Sequence, residues 1–254
     1  LRRAMDSIDE DHPDAHSELF VDDSVMQSTS PTINETLDTL VPAVLQFAKK
    51  VKKLKLRLSP KAAVSTSHPK MTKLLVQELR AHGMHFETPD HARDLGITFC
   101  AGKRRPSKLF SQRLTKSKIR IANISKIALI SRKARKLFTG SAYSAATWGH
   151  QASAVSELQV LTLERSALAC TGIKPAGRCR ATALVASFGV QGTPRARIIR
   201  ETIRDFFDVL TQITSYNTHD IRCAWNKAKN SLYDGCNIRK VKGLMSNVIY
   251  ILIM

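Results

Sequence analysis

Leu19 and Val21 alternate along one face of the run from Ser17 to Met26, Asp22 and Asp23 interrupt it, and Val25 resumes the apolar pattern. A period of two broken by adjacent acids predicts strand, tight turn, strand, with the carboxylates at the tip. Two carboxylates fixed on a turn offer oxygen ligands to divalent metal ions. Metals held in this way activate an attacking hydroxyl and stabilise a departing pyrophosphate in an in-line displacement. Asp-Asp is also an ordinary solvated turn, because aspartate favours turns through local hydrogen bonds. The rest of the chain has to decide between the two.

Charge is the next constraint. The 254 residues carry a formal net charge of +19, with 43% hydrophobic residues, enough for one large or two modest domains. Residues 1–40 hold ten acids and two bases, net −8, whereas the remaining 214 hold 38 bases and 11 acids, net +27. Solubility needs far less charge than that. A polyanionic partner explains it better, and nucleic acid is the commonest one.

The five cysteines (Cys100, Cys170, Cys179, Cys223, Cys236) are widely spaced, with no CxxC pair and no zinc spacing. An odd number without a signal peptide fits reduced thiols inside the cell, nuclear or cytoplasmic rather than secreted. Leu1-Arg2-Arg3 runs into an acidic stretch, unlike a secretory or transit peptide, and suggests a piece of a longer chain. The apolar tail from Val248 to Met254 is too short to span a bilayer, so no membrane partner is expected.

The pattern along the chain is mixed α and β first, then all α. Residues 1–16 read as an acidic, loose segment. Thr32-Ile33-Asn34-Glu35 matches a capping box ahead of an amphipathic helix over 33–52, which Pro42 should kink or shorten. Leu54, Leu56 and Leu58 alternate with Lys55 and Arg57 as a half-buried strand, Ser59-Pro60-Lys61 turns, and 62–67 returns as a second strand. A helix over 70–82 ends at Gly83. Arg93 to Phe99 reads as a strand whose Gly96 marks a bulge or a close backbone approach. Gly102-Lys103-Arg104-Arg105-Pro106 is a basic linker and the expected domain boundary. Helices follow over 107–138, 153–170 and 194–214. Tyr143 and Trp148 suit a helix–helix contact, and His82, His85 and His91 read as surface residues.

Set in series, the Phe20-Val21-Asp22-Asp23 hairpin, the Leu-rich strand ending Leu58-Ser59-Pro60-Lys61 and the Leu95-Gly96-Ile97 strand resemble the second half of the palm domain of reverse transcriptases. Those of non-LTR retrotransposons and group II introns are the most similar. The resemblance covers residues 17–100, extends more loosely through 107–175, and matches nothing in 176–254. It implies an α+β fold: a partial palm of antiparallel hairpins and packed helices over 17–101, a basic all-α thumb-like region over 102–175, and a helical extension over 176–254. It further implies that Asp22 binds catalytic Mg²⁺ or Mn²⁺, that Asp23 supports the site, and that Lys61 serves the leaving pyrophosphate. A cation there is physically sensible, because phosphoryl transfer depends on positioning and charge neutralisation. Leu95, Gly96 and Ile97 would form the primer grip. Lys103, Arg104, Arg105, Lys108, Arg113, Lys116, Lys118, Arg120, Arg132, Lys133, Arg135 and Lys136 would hold RNA template and DNA primer, with deoxynucleoside triphosphates as substrate.

The family also carries a third metal-binding aspartate on an earlier strand, more than 50 residues upstream of the hairpin, whereas 21 residues precede Asp22 here. The expectation is therefore half of a metal site and an inactive isolated chain. Two other readings remain open: a non-catalytic nucleic-acid-binding protein or decayed retroelement remnant, and a basic structural protein with an accidental Asp-Asp turn.

Overall fold

A computed structural model of the chain describes residues 1–20, 23–89, 91–94, 97–100, 105, 107–174, 176–213, 218–233, 237–241 and 243–253. The fold is mostly helical with a small antiparallel hairpin. It divides into two compact units, Leu1–Leu95 with Phe99–Gly102, and Gly96–Thr98 with Lys103–Met254.

In the first unit, β1 (His16–Phe20) pairs antiparallel with β2 (Asp23–Gln27), Phe20 opposite Asp23 and Leu19 opposite Ser24. Two residues therefore connect the strands, and they fix the register. In that register Leu19 shares a face with Met26, not with Val25 as the sequence pattern suggested. Leu19 and Met26 pack on the core built by α1 (Arg2–Asp11) and α2 (Ile33–Lys53) from Met5, Ile8, Ala43, Phe47 and Val51. Residues 2–11 are thus a docked helix rather than a loose segment. Met5 and Ile8, three apart on one helical face, bury against α2 and outweigh the acidic composition around them. Polar bonds fasten the same contact: Lys50 Nζ donates to Ser7 Oγ at 2.6 Å, and His12 Nε2 meets Gln46 Oε1 at 2.7 Å.

Helix α2 begins where expected, with Thr32 Oγ1 accepting from the Glu35 N–H at 3.2 Å. It runs unbroken through Pro42 to Lys53. Proline there forfeits one backbone hydrogen bond, but Leu40, Ala43 and Phe47 on either side are buried and keep the helix continuous. Beyond Lys53, the Lys55 N–H donates to the Lys52 carbonyl at 3.0 Å and the Leu56 N–H to the Val51 carbonyl at 3.1 Å, with Lys55 at φ +56°. This is a Schellman closure with lysine in the place that favours glycine. It turns the chain out of the helix, so the expected strand over 54–58 does not form. Leu54, Leu56 and Leu58 stand in solvent without a pairing strand. The expected strand over 62–67 is reduced to a single parallel bridge, Ala63 with Glu87. Helix α3 (Pro69–Ala81) packs Leu75 and Leu79 on Leu40 and closes at Gly83, φ +76°. β3 (His91–Asp94) and β4 (Ile97–Cys100) form a second two-stranded sheet, where a single strand over Arg93–Phe99 was expected.

The second unit is helical. α4 (Lys108–Ala128) buries Phe110, Ser117, Ile121, Ile124 and Ala128. The basic helix expected over 107–138 breaks after Ala128, and α5 (Ala134–Leu137) resumes it, passing into a π-helical turn, Phe138–Tyr143, that aims Phe138 and Tyr143 inward. Of the two aromatics expected at helix contacts, Tyr143 is buried and Trp148 is mostly exposed. α6 (Ser144–Thr147) and α7 (His150–Ser153) lead to α8 (Glu157–Ala169), which starts in a Ser156/Gln159 capping box. That start turns Val160, Leu163, Ala167 and Leu168 inward and leaves Leu158 exposed. α9 (Arg180–Phe188) and α10 (Pro194–Ile213) add Leu184 and Ile198 to this core. α11 (Thr218–Tyr233) and α12 (Gly243–Ile253) close a smaller core of Leu232, Val241, Ile249 and Tyr250. The apolar tail is therefore a helix that turns Val248, Ile249 and Tyr250 inward and leaves Leu252 and Ile253 exposed. No helix among the described residues is long and apolar enough to cross a membrane.

A polar cluster fastens the π-helical turn to α10, with His150 of α7 beside it. Glu201 accepts from Tyr143 Oη at 3.1 Å and pairs with Arg197 at 3.0 Å, and the Arg197 guanidinium lies 4.2 Å from the Tyr143 ring centroid. His150 is fully buried, with Nδ1 2.8 Å from the Thr147 carbonyl and Nε2 3.8 Å from Glu201 without a hydrogen bond. Burial lowers its pKa, while the Thr147 carbonyl and Glu201 work the other way. Burial prevails, because Glu201 is already engaged by Arg197 and Tyr143.

Two outcomes follow from these features. Replacing Lys55 by glycine relieves the left-handed backbone and raises stability by about 0.5–1 kcal/mol, read from denaturant midpoints. A histidine whose pKa is lowered by folding binds its proton more readily when unfolded. Stability is therefore complete above the unfolded value of about 6.5 and declines as pH falls below it. In His150→Asn that decline in melting temperature is smaller than in the native chain.

Candidate nucleic-acid and metal site

The β1–β2 hairpin places Asp23 beside its two-residue connection. Asp23 is the first residue of β2, exposed, and lies on the hairpin face that carries Phe20, opposite the face packed on α1 and α2. It makes no ion pair or side-chain hydrogen bond with any described residue, so its carboxylate is open to a ligand. Asp22 lies outside the described residues. Asp23 thus fits one position of an oxygen-ligated divalent cation, and a second ligand depends on Asp22. Among the described residues no three His, Cys, Asp or Glu side chains come together as a metal site.

Lys61 is exposed in the turn after Ser59, whose Oγ accepts from the Lys61 N–H at 3.2 Å. The side chain is thus solvated and mounted on a local turn, not on a strand. Of the expected primer grip, Ile97 opens β4, and Leu95 and Gly96 lie outside the described residues.

The basic set divides into two kinds of residue. Lys108, Lys116, Lys118 and Arg120 on α4, and Arg132, Lys133, Arg135 and Lys136 at and before α5, are exposed. None of these eight pairs with a carboxylate among the described residues. The helical period puts Lys108, Lys116 and also Lys126 in one arc opposite the buried stripe, a line of about 27 Å at 1.5 Å per residue, with Arg120 at its edge. Gln112 and Asn123 share that arc. Lys118 lies on its flank. Arg113 is half-buried and donates to the Trp148 carbonyl, and Lys103 and Arg104 lie outside the described residues.

Arg105 is engaged by backbone carbonyls. Its Nη1 donates to the carbonyls of Ala154 at 2.9 Å and Ser153 at 3.3 Å, and its N–H donates to the Arg239 carbonyl at 2.9 Å. Burial pushes its pKa below the ordinary arginine value, opposed by Tyr250. The guanidinium is a structural staple for the turn at Ala154, whose φ is +55°.

Sequence reasoning missed a sharper signal. From Leu95 to Ser156 the chain has thirteen bases and no acidic residue. Acids return with Glu157 and Glu164, which take Arg195 and Arg180. Arg195 holds the Glu157 carboxyl below its usual range.

No family model, curated protein or solved structure matches the chain.

The two kinds of cation separate by substitution. Arg105→Ala strands two carbonyls and destabilises by about 1–3 kcal/mol in thermal or urea unfolding. Arg120→Ala, on the exposed arc, leaves stability within about 0.5 kcal/mol.

Proposed function

We propose that the chain is part of a reverse-transcriptase-like nucleotidyltransferase that grips an RNA–DNA duplex with the exposed cations of α4 and α5. The observation that carries the reading is this line of cations, anchored by a buried apolar stripe and without carboxylate partners among the described residues. Cations held on a rigid helix neutralise phosphates and release counterions. The catalytic half of the reading rests on the resemblance around Asp22 and Asp23, and is supported by a two-residue connection between paired strands backed by helices. In it the two aspartates hold Mg²⁺ or Mn²⁺, which would neutralise charge on the triphosphate, and Lys61 faces the leaving pyrophosphate. Two-metal chemistry needs ligands for both ions, so catalysis requires a further carboxylate beyond this pair.

Two measurements test the proposal. Affinity for a 20-base-pair RNA–DNA hybrid should fall steeply between 50 and 200 mM salt, and reversing Lys116 and Arg120 to glutamate should both weaken binding and flatten the slope by about two phosphates. Salt-insensitive binding contradicts the interface. This chain alone should give little or no primer extension with Mg²⁺. Mn²⁺ binding, followed by relaxation of water protons, should drop on Asp22→Asn. Robust extension, or Mn²⁺ binding indifferent to Asp22, contradicts the half-site.

A further inference from the structure

The turn between α4 and α5 is the most exposed apolar point of the second unit. Leu129 is 82% exposed and Ile130 91%, and Ile127 in the last turn of α4 is 44% exposed beside them. Lys126 precedes the tip and Arg132, Lys133, Arg135 and Lys136 follow it, all exposed. The tip is stiff. The N–H groups of Leu129, Ile130, Ser131 and Ala134 donate within the turn at 2.9–3.3 Å, and Ser131 Oγ accepts from the Lys133 N–H at 3.3 Å. Its base is braced by Gly172 (φ +73°), where a Cβ would stand 2.3 Å from the Ala128 carbonyl oxygen.

Paired large side chains on a stiff, fully exposed turn, ringed by cations, suit a partner that is anionic outside and apolar within. Stacked bases behind a phosphate backbone have that chemistry, and apolar side chains inserted between base steps are a known means of unstacking them. An anionic bilayer shares it. However, α4 buries its apolar stripe in the core, and its exposed Ile119 and Ile127 stand two turns apart rather than forming an apolar face to lay on a membrane. Its cations run about 27 Å back from the tip, close to one turn of duplex and well beyond a Debye length of about 8–10 Å. From this we propose that Leu129 and Ile130 form an apolar wedge that enters the base stack of the bound nucleic acid, while Lys126, Arg132 and Lys133 hold the flanking phosphates. The proposal rests on the reading of α4 and α5 as a nucleic-acid interface.

The test uses the full chain and Leu129→Ser/Ile130→Ser, with melting temperature as the control for folding. The probe is a 12-base-pair RNA–DNA hybrid in three versions, with 2-aminopurine at a different position in each. The native chain should raise 2-aminopurine fluorescence in at least one version. The double variant should lose that rise and bind at least tenfold more weakly when the salt titration is extrapolated to 1 M, with an unchanged salt slope. Unaltered fluorescence and an unaltered 1 M intercept in the double variant, with the slope intact, overturn the wedge and leave the interface standing. No salt-dependent binding by the native chain overturns both. If the double variant instead loses only its binding to vesicles of 70% phosphatidylcholine and 30% phosphatidylserine, the tip belongs to a membrane surface and the wedge is wrong.

Discussion

Like-charge repulsion along α4 and α5 is the force the second unit has to manage. Thirteen bases occur between Leu95 and Ser156 without one acid, and cations on one helix face repel at i, i+4. The buried stripe of Phe110, Ile121, Ile124 and Ala128 holds α4 in place despite that repulsion. Each buried aliphatic or aromatic side chain of this kind contributes roughly 1.5–3 kcal/mol, against a few tenths for a surface charge pair. The core therefore fixes the cations in a line, at a small electrostatic cost that an anionic partner would remove.

The rest of the unit shows where charge is used internally. Glu164 draws in Arg180 and Arg195, and Glu201 draws in Arg197 and the Tyr143 hydroxyl. Arginine suits these sites because its planar fork meets two acceptors at once. The same chemistry explains Arg105, which serves two backbone carbonyls. Basic residues from Arg180 to Arg197 hold helices together, while those from Lys108 to Lys136 mostly do not.

The hairpin and the long helices were legible in the sequence because each carries its own period and cap. Thr32 and Gly83 marked helix ends that hold in three dimensions. Three features were not legible. Leu54, Leu56 and Leu58 alternate like a strand, but a strand needs a neighbour, and the Lys55 closure leaves them without one. The helix at Arg2–Asp11 rests on two buried side chains, Met5 and Ile8, in a segment whose composition points to solvent. The split role of the cations depends on tertiary neighbours, since nothing local separates Arg105 from Lys108. The acid-free run was visible throughout and is the better pointer to the proposed interface.

The central claim is that the α4–α5 face, rather than positive charge in general, meets nucleic acid. Lysine acetylation footprinting by mass spectrometry, with and without an RNA–DNA hybrid, tests it most directly. Lys108, Lys116, Lys126, Lys133 and Lys136 should be protected, and Lys227 and Lys229 on α11 should react as before. Protection spread evenly over all lysines, or absent from α4 and α5, would contradict the account.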